Sequence, residues 1–286
     1  MPTYTTPENI TIAYEATGSG PPVLLLHGFP QTQAMWHAIT PALARDFTVI
    51  TADLRGYGNS TKPKAVADMS FRAMAGDQVA LMHHLGFAHF HLVGHDRGAR
   101  TAHRLALDHG DAVASLTLMD IVPTHLLLNE LGQDVARAYY HWFFLAQPAP
   151  FPETLIGHDP DAYFDSCLAG WGGGMGGFDD TALAAYRAAW RKPDCIASMC
   201  NDYRAAIDVD FDLDAADLDR RVDAPALVLY GGDGIMGRAY DVAATWADRL
   251  SNMTSAALPG GHFFPDTHPA ETAAALRTFL TAQTSQ

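Results

Sequence analysis

The strongest constraint on the fold is a glycine-flanked aspartate between an apolar run and a helical pattern. Residues 90–93 are apolar for the most part, Gly94-His-Asp-Arg-Gly98 follows at once, and a helical pattern covers 99–109. A reactive residue between small neighbours at a strand-to-helix corner is typical of a nucleophile elbow. An aspartate in a glycine-rich turn is more often structural. The strand before it and the helix behind it favour Asp96 as a nucleophile.

The rest of the chain repeats the alternation of strand and helix. Stretches rich in Val, Leu and Ile alternate with helical patterns, which predicts a mostly parallel sheet flanked by helices. Strands are predicted at 10–16, 23–26, 48–54, 90–93, 115–119, 226–230 and 254–258, and helices at 33–43, 70–85, 99–109, 240–250 and from 268 onward. Residues 123–213 contain no clear strand. We interpret them as a helical cap inserted into a core of residues 1–122 and 214–286.

Composition narrows the class of protein. Of 286 residues, 48% are apolar and 17% are charged, as in an ordinary globular protein. The first residues resemble no signal peptide and no run could span a membrane. Three cysteines without metal-ligand spacing predict free thiols, hence a cytoplasmic protein. The net charge of −14 disfavours nucleic acid and anionic membranes as partners. An anionic substrate would therefore need local arginines.

A carboxylate nucleophile selects the chemistry. Aspartate attacks carbonyl groups poorly but can displace a leaving group from saturated carbon, which leaves an ester that activated water hydrolyses. His262 follows the last predicted strand and is the expected base. Its acidic partner is either Asp120 or Asp233, since each follows a strand. The expected reaction needs neither a metal nor an organic cofactor.

Two further sets of groups are expected around Asp96. The backbone N–H groups of Phe29, in a His-Gly-Phe-Pro loop, and of Arg97 would form an oxyanion hole. The side chains of Arg97 and Arg100 share one helix face and would form a fork for a substrate carboxylate. They would also keep Asp96 ionised. Otherwise Arg100 would be a surface residue paired with Asp108 or Asp111.

Several blocks of the sequence resemble the fluoroacetate dehalogenases. They are residues 94–109, Met119–Thr124, His141–Phe144 and Asn201–Arg204, and the similarity extends over nearly the whole chain. The resemblance implies an α/β-hydrolase fold with an eight-stranded, mostly parallel sheet and an inserted helical cap. It also implies a homodimer and a small haloacid as substrate, with haloacetates converted to glycolate and halide.

The resemblance also implies roles for individual residues. Asp96 would be the nucleophile, His262 the base and Asp120 its partner. Arg97 and Arg100 would bind the carboxylate, while the halide would leave toward hydrogen-bond donors on His141, Trp142 and Tyr203, with Trp171 in the lid. In isolation, these aromatic residues would be interpreted as cap core.

Two other functions remain open at this point. An epoxide hydrolase uses the same aspartate and loop, with two lid tyrosines, but a pair of arginines beside the nucleophile suits a neutral epoxide poorly. A non-catalytic small-molecule receptor of this fold is disfavoured by the intact nucleophile, base and acid.

Overall fold

An eight-stranded sheet forms the centre of the molecule. The computed structural model describes residues 1–284. The strands are β1 (Thr3–Thr5), β2 (Thr11–Gly18), β3 (Pro22–Leu26), β4 (Thr48–Ala52), β5 (Phe90–His95), β6 (Val113–Met119), β7 (Ala226–Gly231) and β8 (Met253–Leu258). Their order is β1-β2-β4-β3-β5-β6-β7-β8. β2 is antiparallel to both neighbours, and the six strands β3 to β8 are parallel to one another. The inner strands are almost continuously buried and mostly apolar, as expected for parallel strands covered on both faces.

Helices flank the sheet and form the cap. The α-helices are α1 (Thr40–Leu43), α2 (Phe71–His84), α3 (Arg97–Asp108), α4 (Thr124–Asn129), α5 (Gln133–Ala138), α6 (His141–Leu145), α7 (Phe151–His158), α8 (Pro160–Gly172), α9 (Asp180–Trp190), α10 (Pro193–Ala205), α11 (Phe211–Ala216), α12 (Ile235–Ala239), α13 (Val242–Trp246), α14 (Phe264–Thr267) and α15 (Pro269–Thr284). Short 3₁₀ segments lie at Gln33–Trp36, Ala67–Met69 and Gly110–Ala112, and Ala206–Asp210 is a π-helical turn.

Two predicted helices are wrong in extent. Instead of one helix over 33–43, a 3₁₀ turn at Gln33–Trp36 is followed by the short α1. Pro41 lies in the first turn of α1, where its missing N–H does no harm, so a continuous helix through it is disfavoured. The helix predicted at 240–250 is reduced to α13, which Asp241 caps by accepting the Ala244 N–H at 3.0 Å. The edge strand β1 was not predicted.

The segment between β6 and β7 is helical. From Thr124 to Ala216 the described chain forms α4 to α11 and the π-helical turn, without a strand. The glycine-rich run inside it ends α8 and forms a turn, with Gly173 at φ 83°. The limits 123 and 213 of the cap remain a prediction. Within residues 1–284, no helix combines the length and apolarity that a membrane span requires.

Candidate active site

Asp96 lies at the sharp corner between β5 and α3. Its backbone has φ 47° and ψ −114°, a conformation that residues other than glycine rarely adopt. A Cβ added at Gly94 would lie 2.4 Å from the Gly98 carbonyl oxygen, and one added at Gly98 would lie 2.4 Å from the Leu26 carbonyl oxygen. Small flanking residues are therefore required by close contact between strand and helix. The geometry is that of a nucleophile elbow.

His262 lies between Asp120 and Asp96. Its Nδ1 is 2.6 Å from Asp120 Oδ2, and its Nε2 is 4.0 Å from Asp96 Oδ1. Asp120 is held in turn by the Gly231 N–H, which donates to Oδ1 at 2.8 Å. Because the carboxylate accepts a hydrogen bond from Nδ1–H, the unprotonated nitrogen of the neutral imidazole is Nε2, which faces the nucleophile. Asp233 instead accepts the exposed Gly260 N–H at 3.1 Å, so the acid beside the imidazole is Asp120.

The backbone of His262 is fixed from two sides. Its N–H donates to the Trp171 carbonyl oxygen of the cap at 2.8 Å. Its carbonyl oxygen accepts from Nε2 of His95 at 2.8 Å, and the two imidazole rings lie 4.8 Å apart. His95, which directly precedes the nucleophile, therefore holds the base through its backbone. Its hydrogen bond to the His262 carbonyl, 167 residues further along the chain, has no signal in the local sequence.

The charges around Asp96 keep it ionised. Burial alone would raise the pKa of this carboxyl, but the positive charges of His262, Arg97, His95 and Arg100 outweigh burial and lower the pKa to about 2. For His262, burial would lower the pKa, but the hydrogen bond and charge of Asp120, together with the charge of Asp96, raise it above its usual value. A nucleophile ionised at neutral pH thus faces a histidine with enhanced basicity.

The turn after β3 supplies one expected oxyanion donor. The Phe29 N–H donates to Asp96 Oδ2 at 3.0 Å. A hydrogen bond from the Gln31 N–H to the Gly28 carbonyl at 3.0 Å closes this turn. A Cβ at Gly28 would lie 2.6 Å from the Cβ of Asp96, so only glycine permits this approach. The second expected donor, the Arg97 N–H, begins α3 directly behind Asp96 and remains a prediction.

Arg97 and Arg100, expected to act as one fork, have different partners in the structure. Both are buried, but Arg97 is paired with Asp202: its Nε donates to Oδ2 at 2.9 Å, and its Nη2 donates to Oδ1 and to the Asp202 carbonyl oxygen. Phe71, Trp142 and Tyr203 surround its guanidinium group. Of its donors, Nη1 has no partner among the described residues. Arg97 can therefore offer a substrate the N–H donors of Nη1 alone, rather than a fully free guanidinium group.

Arg100 differs because it forms no ion pair with a carboxylate of the described residues. Its Nη1 donates to the Val122 carbonyl oxygen and to Thr124 Oγ1, both at 3.0 Å, while Nε has no partner among residues 1–284. Among the buried arginines of these residues, it is the one without a carboxylate within 4 Å. Burial lowers its pKa to about 10, although the charge of Asp96 opposes this.

The alternative reading of Arg100 as a surface residue is wrong. The arginine that pairs with Asp108 is Arg104, one helical turn further along α3, whose Nε donates to Oδ2 at 2.9 Å. Arg104 also donates to Asp217 at 2.7 Å. Arg100 itself is only 3% exposed and its guanidinium group lies 4.9 Å from the Trp142 ring.

The aromatic residues expected at the halide are brought together by the cap. His141 stacks on the Phe29 ring at 5.9 Å between centroids, and Tyr203 meets the same ring edge-on at 5.1 Å. Trp142 lies 5.2 Å from Tyr203. All three are buried, and the Tyr203 hydroxyl and His141 Nδ1 have no hydrogen-bond partner among the described residues. Buried polar atoms without a partner indicate a place for a ligand or water.

Trp171 has a different position from the other three. Its ring lies 4.1 Å from that of His141, but its indole N–H donates to the Ala138 carbonyl oxygen at 3.1 Å. It therefore covers the site and supports His262 through its carbonyl, with no N–H left for a halide. In residues 1–284, no three His, Cys, Asp or Glu side chains come together as metal ligands.

Fold and site together define the class of protein. A carboxylate elbow after β5, a histidine after β8 and a glycine turn after β3 are the arrangement of an α/β-hydrolase. The family profile described as alpha/beta hydrolase fold matches residues 21–269. A solved α/β hydrolase from Nostoc sp PCC 7120 superimposes with a TM-score of 0.96 at 48% identity, over 98% of this chain and 97% of that one.

Comparison with curated proteins narrows the class. A fluoroacetate dehalogenase from a Burkholderia species is 54% identical over 95% of this chain and 91% of its own. A soluble epoxide hydrolase from Corynebacterium sp. (strain C12) is more distant, at 32% identity over 90% of this chain and 88% of its own. The chain belongs to the fluoroacetate dehalogenase family of the α/β-hydrolases and is a hydrolase acting on carbon–halide bonds.

Proposed function

We propose that this enzyme removes halide from short 2-haloacids, with haloacetates including fluoroacetate as substrates. The observation that carries the proposal is that the buried Arg100 has no ion-pair partner among the described residues, while its charge interacts with that of an ionised Asp96. A buried cation without a partner is costly, and a substrate carboxylate would compensate it. A neutral epoxide or haloalkane would leave Arg100 without an ion-pair partner.

In the first step, Asp96 displaces the halide. The substrate carboxylate accepts hydrogen bonds from Arg100 and from the free Nη1 of Arg97. A carboxylate oxygen of Asp96 attacks the α-carbon, the carbon–oxygen bond of an ester forms, and the carbon–halogen bond breaks. The halide leaves with the bonding electron pair. Fluoride is strongly hydrated, so N–H and O–H donors of His141, Trp142 and Tyr203 have to replace its lost water.

In the second step, water cleaves the ester. Nε2 of His262 takes a proton from water while Asp120 stabilises the imidazolium through Nδ1. The hydroxide adds to the Asp96 carboxyl carbon, and the N–H groups of Phe29 and Arg97 stabilise the oxyanion. The ester carbon–oxygen bond then breaks, and the leaving alkoxide takes the proton from Nε2 of His262 and departs as the hydroxyacid, glycolate for a haloacetate. The regenerated Asp96 carboxyl group releases its proton to solvent and is ionised again.

Incubation with fluoroacetate, chloroacetate and styrene oxide tests the assignment. We expect halide from the two acids and no diol from the epoxide. Diol alone would establish the epoxide hydrolase alternative, for which the hydroxyls of Tyr203 and Tyr139 are candidates. A ligand-induced rise in melting temperature without any product would establish the receptor alternative.

We also propose a cytoplasmic homodimer. The family resemblance supports the dimer, and the cap exposes four large apolar side chains that a second copy could cover: Tyr140, Phe143, Phe151 and Leu155. Sedimentation equilibrium of the wild type and of Phe151→Ser tests this proposal. A monomeric wild type at micromolar concentration would contradict it.

A further inference from the structure

Three segments of the site meet at one carboxyl group outside the proposed catalytic set. Asp266, in α14, accepts the Tyr186 O–H at Oδ1, 2.7 Å away, and the Gln31 side-chain N–H at Oδ2, 2.5 Å away. Tyr186 and Gln31 are fully buried and Asp266 is only 9% exposed. These three residues come from the cap helix α9, the turn after β3 and the segment after His262.

Each of these segments carries a part of the proposed chemistry. The backbone N–H of Gln31 closes the turn that presents the Phe29 N–H to Asp96. Asp266 lies four residues after His262, and its own N–H donates to the Phe263 carbonyl oxygen in the same turn. Tyr186 anchors the cap to this point. A shift of the Asp266 side chain would therefore move the oxyanion donor and the base relative to each other.

The carboxyl group of Asp266 has no compensating cation close by. None of the ion pairs among residues 1–284 includes it. The titratable groups that act on it are Tyr186 and Asp179 from α9 and its cap, and His262 from its own segment. Asp179 is itself 3.7 Å from His37. Burial raises the pKa of Asp266 to about 7, although the two hydrogen bonds oppose this.

We propose that Asp266 is a positioning residue that, as a carboxylate, holds the oxyanion turn, the His262 segment and cap helix α9 in register for the ester-hydrolysis step. The inference rests on the proposed function. The ionised form fits the observed contacts because it accepts from both donors at once. Protonation would change one of these contacts: a proton on Oδ1 would make the Tyr186 hydroxyl an acceptor, and a proton on Oδ2 would require the Gln31 amide to turn its unpartnered Oε1 toward Asp266.

The kinetic test compares three variants in single-turnover hydrolysis of the ester. For Asp266→Asn, which removes the charge and keeps the shape, we expect a rate about 10-fold to 100-fold below wild type above pH 8 and a rate close to wild type near pH 5.5. Tyr186→Phe removes a donor that stabilises the carboxylate of Asp266, so the pH midpoint of its hydrolysis rate should lie above that of wild type. Asp180→Asn, in the exposed first turn of α9, is the matched control with nearly unchanged rates, because Asp180 is not among the groups that act on Asp266.

A spectroscopic readout does not depend on turnover. The proton on Nδ1 of His262 reports the Asp120 hydrogen bond by NMR. We expect its shift to change between about pH 6 and 8 beyond the titration of His262 itself, and this extra change to be absent in Asp266→Asn. The same pH dependence in wild type and variant would overturn the inference. If wild type releases no halide while the NMR difference persists, the proposed function fails and the coupling through Asp266 stands.

Discussion

Nδ1 of His262 lies 2.6 Å from Oδ2 of Asp120, a contact between residues 142 positions apart in the sequence. This contact sets the tautomer of the imidazole and leaves Nε2 as the proton acceptor, 4.0 Å from Asp96. The distance to Asp96 is too long for a hydrogen bond. The arrangement therefore suits a base that acts on water at the ester rather than one that activates the nucleophile directly.

The first prediction concerns the covalent intermediate. His262→Asn should still be alkylated, because Asp96 remains ionised, but its ester should hydrolyse about 100-fold to 10,000-fold more slowly. Intact-protein mass spectrometry after exposure to chloroacetate should show an adduct. Asp96→Asn should show none. An adduct on the Asp96→Asn protein would contradict the assigned nucleophile.

The two chemical steps should respond differently to pH. The pKa of Asp96 is lowered to about 2, so alkylation should persist in mildly acidic solution. Hydrolysis needs neutral His262, whose pKa is raised, so its rate should fall as pH drops through that raised value. The ester removes the charge of Asp96, which is one cause of the raised pKa. The midpoint from single-turnover hydrolysis should therefore lie below the His262 midpoint measured by NMR in the free enzyme.

Arg100 should control the preference for anions. In Arg100→Met, the KM for chloroacetate should rise at least about 30-fold, equivalent to about 2 kcal/mol, because the compensating cation is gone. Turnover of neutral chloroacetamide should fall much less. Arg72→Met changes the same charge at a side chain that is 47% exposed and should leave both substrates nearly unaffected. An equal loss for acid and amide would contradict the role of Arg100.

The buried pair of Arg97 and Asp202 should be sensitive to one-sided changes. Arg97→Met leaves Asp202 buried without its cation and should cost about 3–5 kcal/mol of unfolding free energy. Adding Asp202→Leu to Arg97→Met should restore most of the lost unfolding free energy. Denaturant unfolding measures both. For comparison, Arg191→Met breaks the exposed pair with Asp161 and should leave the free energy of unfolding nearly unchanged. Additive losses in the double variant would contradict a direct pair.

Tyr203→Phe tests the halide site. The phenol hydroxyl is buried without a partner, so its removal should not lower the melting temperature. Alkylation by fluoroacetate should slow about 10-fold to 100-fold, and more than alkylation by chloroacetate, because fluoride needs stronger hydrogen bonding than chloride. Stopped-flow halide release measures both. Equal slowing of the two reactions would place the hydroxyl elsewhere in the mechanism.

The sequence was most informative where local chemistry and chain position coincide. The small residues around Asp96 and the position of His262 after the last strand were sufficient to find both. Asp120 and Asp233 each follow a strand, and only the resemblance chose between them, because the decisive hydrogen bond joins distant segments. Packing of the cap on the core produces the remaining features, which no local sequence pattern encodes. They are the pairing of Arg97 with Asp202, the absence of an ion pair at Arg100 and the contacts of Asp266.

The hydrogen bond from the His262 N–H to position 171 has a consequence for engineering. The acceptor is the backbone carbonyl of Trp171, which any amino acid at this position supplies. The indole ring, by contrast, covers His141 at the site. A smaller side chain here should therefore leave more room beside His141 for bulkier acids while the backbone of the base keeps its hydrogen bond, so this position offers a route to new substrates with little loss of water activation.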